Sequence, residues 1–104
     1  MERRSEPRFK HGARIRVRLW RNAQWAELPA FTVNVSENGL LVTVQATPAL
    51  GEGIRVELPG QPGSFVEATV RHAIRGTANS LVGLRLHEPQ DVSYARGEPL
   101  PEGE

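Results

Sequence analysis

Apolar and polar positions alternate with a period of two through most of this chain. Ala13, Ile15, Val17 and Leu19 face one way and Arg14, Arg16 and Arg18 the other, the pattern of a half-buried strand. Phe31, Val33 and Val35 form a second apolar face, and Leu40, Val42 and Val44 a third. Ile54, Val56 and Leu58 follow the turn signal Gly51-Glu52-Gly53. A longer run sets Val66, Ala68, Val70 and Ile74 against Glu67, Thr69, Arg71 and Arg75, and Val82, Leu84 and Leu86 make a sixth strand. With Gly, Pro and Asn between the runs and no convincing amphipathic helix, the pattern predicts an all-β antiparallel barrel or sandwich. At this length a closed or nearly closed six-stranded barrel is favoured, because closure removes exposed edges.

The flanks carry no such period. Residues 1–12 contain Pro7 and Gly12 and read as a loop or an ordered arm. Gln90 to Arg96 reads as one or two helical turns, and Gly97 to Glu104, with Pro99, Pro101 and three glutamates, as a disordered tail. The expected division is an arm over 1–12, a barrel over 13–88 and a C-terminal tail over 89–104.

Composition narrows the class. The sequence has 104 residues, the size of one domain, and 38% hydrophobic residues supply one modest core. With no cysteine there is no disulfide framework, thiolate metal site or thiol chemistry. No apolar run approaches the roughly 18 residues of a membrane span and no signal-peptide core is apparent, so the expectation is a cytoplasmic domain without membrane insertion. The net charge of +1 hides an asymmetry. Residues 1–21 carry eight basic groups against two acidic ones, and the remainder carries five against ten. Seven of the eight are arginine, suited to bidentate and stacked contacts, so an anionic partner is expected.

Catalysis finds no support. His11, His72 and His87 lack ligand-like spacing, which argues against a zinc site, and no P-loop or dinucleotide fingerprint occurs. His72 is in phase with the apolar positions of its strand and reads as a hydrogen-bonded histidine at the barrel end. Ser36 lies in Asn34-Val35-Ser36-Glu37-Asn38-Gly39 and has no nucleophile-elbow context. No catalytic residue, metal or cofactor is therefore expected.

That last segment is informative for another reason. Asn38-Gly39 between alternating runs is a strong hairpin signal, and it accounts for those two residues. It does not account for Asn34 and Ser36, which alternate with Val33 and Val35 and so share the face opposite the core. An amide and a hydroxyl beside a turn make a hydrogen-bonding platform for a polar ligand. Asn34-Val35-Ser36 also fits a glycosylation acceptor, but that chemistry needs a secreted protein. At the front end, Arg3-Arg4-Ser5-Glu6-Pro7-Arg8 could be a plain basic tail. Pro7 disfavours a helix there, leaving Arg4 and Arg8 able to grip opposite sides of a ligand.

Together the two segments resemble a known family. An Arg-x-x-x-Arg arm before the first strand, followed by an Asp/Asn-x-Ser-x-x-Gly turn, is the paired signature of the PilZ domain. Arg4 to Arg8 and Asn34 to Gly39 match its halves in order, and Arg3 adds a doubled arginine. Ala68-Thr69-Val70-Arg71 and Leu81-Val82-Gly83-Leu84-Arg85-Leu86 look like the family's closing strands. The resemblance covers roughly residues 3 to 86. It implies a six-stranded antiparallel PilZ-type β-barrel with an N-terminal basic arm and a short or disordered C-terminal tail, binding the bacterial second messenger cyclic di-GMP. By carry-over Arg3, Arg4 and Arg8 clamp guanine and phosphate, while Asn34, Ser36, Asn38 and Gly39 line the other side.

The chemistry suits those roles. Cyclic di-GMP carries two phosphodiester charges, and guanine presents O6 and N7 as adjacent acceptors that one guanidinium bridges bidentately. Arginine planes also stack on purine faces. Two departures stand out. Asn34 replaces the commoner aspartate and offers no charged acceptor to the guanine donors. Gln90 to Arg96 is too short for the substantial final helix of many members, which leaves helix-mediated dimerisation without support.

The resulting expectation is a non-catalytic receptor that passes the cyclic di-GMP signal to an unidentified downstream protein, as a monomer or weak dimer. Two other readings compete. One is a small basic barrel that binds nucleic acid through an Arg14, Arg16 and Arg18 stripe, disfavoured because only Trp20 and Trp25 could stack bases. The other is a PilZ-like interaction adaptor that binds no nucleotide.

Overall fold

A computed structural model of the chain describes residues 6–95. It contains seven strands and one short turn of 3-10 helix: β1 (Phe9–Lys10), β2 (Arg14–Arg21), β3 (Gln24–Ser36), β4 (Gly39–Val44), β5 (Gly53–Glu57), β6 (Phe65–Arg75), β7 (Ser80–Leu86) and the 3-10 turn Ser93–Ala95. All pairings are antiparallel, and neighbours run β3-β2-β5-β6-β7-β4. Pairing of β4 back to β3 closes a six-stranded barrel, and β1 lies outside it on the end of β3.

The alternation read from the sequence holds in β2, β4, β5 and β7. Ile15, Val17, Leu19, Leu40, Val42, Val44, Ile54, Val56, Val82, Leu84 and Leu86 all point into one core. Small and β-branched side chains dominate, and six valines are the largest residues buried essentially completely. Such residues suit the tight interior of a small barrel.

Two strands depart from strict alternation, each at a β-bulge. In β3 the register slips between Thr32 and Asn34. Ala30 and Thr32 point inward before the slip and Val35 after it, leaving Phe31 and Val33 at 53% and 39% exposure. The apolar face expected from Phe31, Val33 and Val35 is thus incorrect for its first two members. A one-residue insertion exchanges the faces on either side of it. In β6 the slip falls between Val70 and His72, with Arg71 as the extra residue. Ala73 then turns toward the core in place of Ile74, which is 61% exposed. His72 moves to the outer face with it, correcting its expected alignment with Ala68 and Val70.

Strand β3 also begins earlier than the hydrophobic pattern suggests. Its first half pairs with all of β2 through a tight turn at Asn22 and Ala23, both with positive φ (52° and 62°). This left-handed pair gives a hairpin that follows the natural strand twist, although the second position is not glycine. The exposed Trp20 and Trp25 face each other across it edge-on, with ring centroids 5.2 Å apart.

The segment after β7 packs onto the barrel. Val92 and Ala95 join the core, Gln90 is buried, and among the described residues the helical content is one 3-10 turn. Among the described residues no helix is long and apolar enough to cross a membrane.

Candidate functional site

The two bulges and the outer strand converge on one patch of the barrel's outside. Asn34 pairs with Lys10 of β1 on one side and with Leu41 of β4 on the other. Ser36 pairs with Gly39, so both polar residues point outward while Val35 between them points in. They are nevertheless 8% and 7% exposed. Burial on an outer face requires a cover, and the arm passes beside them.

That cover is fixed by the β3 bulge. The Thr32 hydroxyl donates to the His11 carbonyl (2.9 Å) and accepts from the Ala13 N–H (3.0 Å). The His11 N–H donates to the carbonyl of the bulged Val33 (3.2 Å), and Phe9, 7% exposed, is paired with Val35. At Phe9–Lys10 the leader is therefore seated as a short strand on β3. Its Glu6 carboxylate accepts from the Asn38 backbone N–H (2.6 Å) and from the Asn38 side-chain amide (3.3 Å), which ties the arm to the turn.

The turn itself differs from the expected Asn-Gly hairpin. Ser36 pairs with Gly39, so the loop residues are Glu37 and Asn38, and neither has positive φ. Gly39 serves close approach instead: a Cβ there would stand 2.9 Å from the Leu84 carbonyl oxygen. The turn is held from behind by three carbonyls. Gln90 Nε2 donates to Ser36 O (2.8 Å), the Gln90 N–H to Glu37 O (2.8 Å) and the Leu86 N–H to Asn38 O (2.8 Å). Tyr94 in turn donates its hydroxyl to Gln90 Oε1 (2.9 Å), and burial pushes that phenol up to about 12. Sequence pattern could not reveal this brace, since a lone glutamine in a polar stretch carries no periodic signal.

The outcome is an open, shallow concavity on the outside of the barrel, about 570 Å³ when the solvent in its mouth is included. Arg8, Asn34, Ser36, Asn38 and Gly39 all line it, so five sequence-predicted positions meet at one place. Arg3 and Arg4 lie outside the described residues. The structure adds Glu6 from the arm, Arg71 and His72 from β6, and Gly83 and Arg85 from β7. Gly83 matters sterically: the His72 ring occupies the space where a Cβ would stand. The available clue to Arg71 was its position opposite the core-facing run of its strand; the bulge that brings it here was not legible.

A second arginine-rich region lies on the β2–β5 face. Arg16 donates to Glu57 through its backbone N–H (2.9 Å), Nε (3.3 Å) and Nη2 (3.0 Å), and Glu57 also accepts from the Gly63 N–H (2.8 Å). The Arg16 hydrogen bonds hold the Glu57 carboxyl down to about 2, outweighing desolvation, which pushes the other way. Arg18 pairs with Glu27 (3.0 Å) and lies 3.7 Å from the Phe65 ring centroid. Arg21 pairs with Glu52, and Arg55 reaches Glu67 (4.0 Å) and stacks over Trp25 (4.4 Å).

The architecture is thus a closed six-stranded antiparallel barrel with an outer strand seating an arginine-bearing arm against a polar turn. The family model for the PilZ domain matches residues 2–96, nearly the whole chain, and the protein belongs to that family. No curated protein matches the chain.

Proposed function

We propose that this protein is a non-catalytic receptor for cyclic di-GMP. The observation that carries the reading is the meeting of Arg8, Asn34, Ser36 and Gly39 around one concavity in a chain of the PilZ family. In this reading Arg8, with Arg4 and Arg3 before it, engages a phosphodiester and the O6/N7 edge of a guanine. Asn34 and Ser36 accept and donate along the other base edge, and Asn38 offers its N–H once Glu6 yields it. Asn34 supplies a neutral acceptor in place of a carboxylate, so the affinity expected is lower than an aspartate would give at this position.

The glutamate contacts on Arg16 and Arg18, two of the three arginines of the stripe, weigh against the polynucleotide alternative, because a guanidinium already paired with a carboxylate displaces few of the cations condensed on a nucleic acid. The output is passage of the signal to a downstream protein through the barrel surface or the arm.

Isothermal calorimetry with cyclic di-GMP, and cyclic di-AMP as control, tests the reading. Saturable binding at about tens of micromolar or tighter, weakened about tenfold to a hundredfold in Arg8→Ala, is expected. Heat-silent titration with a folded protein, or equal binding of both nucleotides, overturns it. Calorimetry is preferable to tryptophan emission here: Trp25 stands about 30 Å of extended strand away from Asn34.

A further inference from the structure

Across the outer sheet the concavity runs in strand order from β1 through β3, β4 and β7 to β6. The arm with Arg8 borders one end. At the other end stand two guanidiniums that belong to neither the arm nor the turn. Arg85 is the register partner of Gly39, and Arg71 is the extra residue of the β6 bulge. Both are exposed and both line the concavity. Among the described residues neither lies within ion-pair distance of a carboxylate, whereas Arg16, Arg18, Arg21 and Arg55 each have a glutamate. Among the described residues the charged lining is three guanidiniums against the carboxylate of Glu6, a formal surplus of two positive charges.

We propose that Arg71 and Arg85 form a second phosphate-binding wall facing the arm, and that this wall selects a cyclic dinucleotide over a mononucleotide. The inference rests on the receptor reading above. Three to four strand spacings separate the arm from β7 and β6, about 14–19 Å of backbone. Arginine side chains reaching inward from both ends leave a gap that a ligand with two separated phosphodiesters bridges and a single phosphate does not. The formal surplus of two positive charges complements the two negative charges of the ligand, and because GMP carries nearly the same charge the selection rests on phosphate spacing. The His72 ring packs against Gly83 on the same two strands as this wall and also lines the concavity.

The test is calorimetry of the full chain with cyclic di-GMP, and NMR titration with millimolar GMP. The proteins are wild type, Arg71→Ala, Arg85→Ala, the double variant, Arg71→Lys, Arg85→Lys and the control Arg55→Ala. Thermal melts establish that each exposed substitution leaves the fold intact. Each alanine variant is expected to weaken cyclic di-GMP binding about tenfold and the double variant about a hundredfold, the size of one and two charge-assisted hydrogen bonds. The lysine variants should recover part of the loss, and Arg55→Ala should bind as wild type. GMP binding unchanged by the substitutions, or undetectable in all proteins, upholds the selection. If wild type binds cyclic di-GMP, Arg8→Ala weakens it and the Arg71 and Arg85 variants do not, the second wall is wrong and the receptor stands. If GMP weakens in step with cyclic di-GMP, the wall binds phosphate without selecting. If wild type binds no cyclic di-GMP, the receptor reading and the wall fall together.

Discussion

Two regions of the barrel's outer surface are rich in arginine, and they are built in opposite ways. On the β2–β5 face, Arg16, Arg18, Arg21 and Arg55 are each within reach of a glutamate, and Arg18 and Arg55 also lie over aromatic rings. Around the concavity, Arg71 and Arg85 face open space with no such partner among the described residues. Similar local charge in the sequence thus becomes a neutral mosaic in one place and a cationic site in the other. The difference lies in what the register sets opposite each guanidinium. Arg18 faces Glu27 across the β2–β3 ladder, while Arg85 faces Gly39 across β4–β7.

Substitutions on the two regions should therefore diverge. The largest expected effect is on ligand binding: Arg8→Ala should weaken cyclic di-GMP by about tenfold to a hundredfold in calorimetry, given the strength of bidentate charge-assisted contacts. Next comes Gly39→Ala. A Cβ against the Leu84 carbonyl forces backbone apart where no flexible side chain can yield, so a loss of about 1–3 kcal/mol in urea unfolding is expected. Gln90→Ala should cost about 1 kcal/mol of stability and leave the Glu37-Asn38 turn looser, with binding weakened about fivefold. Unchanged affinity in Gln90→Ala would separate the brace from the site.

The paired face offers smaller tests. Because Glu57 is held down to about 2, against an ordinary value of 4.5, the stability it contributes is complete above pH 4.5 and fades as pH falls toward 2. Glu57→Gln should lower Tm by a few degrees at neutral pH, and its Tm should fall less steeply than that of wild type across that acid window. A parallel fall in both proteins would remove Glu57 from the acid response. Smallest of all, Arg18→Ala should leave cyclic di-GMP affinity within twofold and stability within about 0.5 kcal/mol, as expected of an exposed pair.

Much of the fold was legible because barrel strands advertise themselves by alternation. The sequence reading fails at the two bulges and at the first half of β3. Phe31, Val33 and Ile74 have apolar side chains and fit the period locally, so nothing in their neighbourhood announces the slip. In β3 the first half pairs along β2 with Glu27 and Pro29 on exposed positions, which dilutes the pattern. Of the site, the arm and the turn could be seen because each is a contiguous run. Arg71, His72, Gly83 and Arg85 could not, because their meeting depends on pairings between strands distant in sequence.

The amino-acid order by itself determined the barrel strands, the core-facing alternation of most of them, and the presence of a cationic leader and a polar turn. These are properties of single segments, set by side-chain period and local backbone preference. Tertiary structure alone decided which arginines are neutralised, where the leader is seated, and which residues from β6 and β7 complete the concavity. Those outcomes depend on register and bulges, which are fixed only when all six strands close on one core and every inward position must be filled at once.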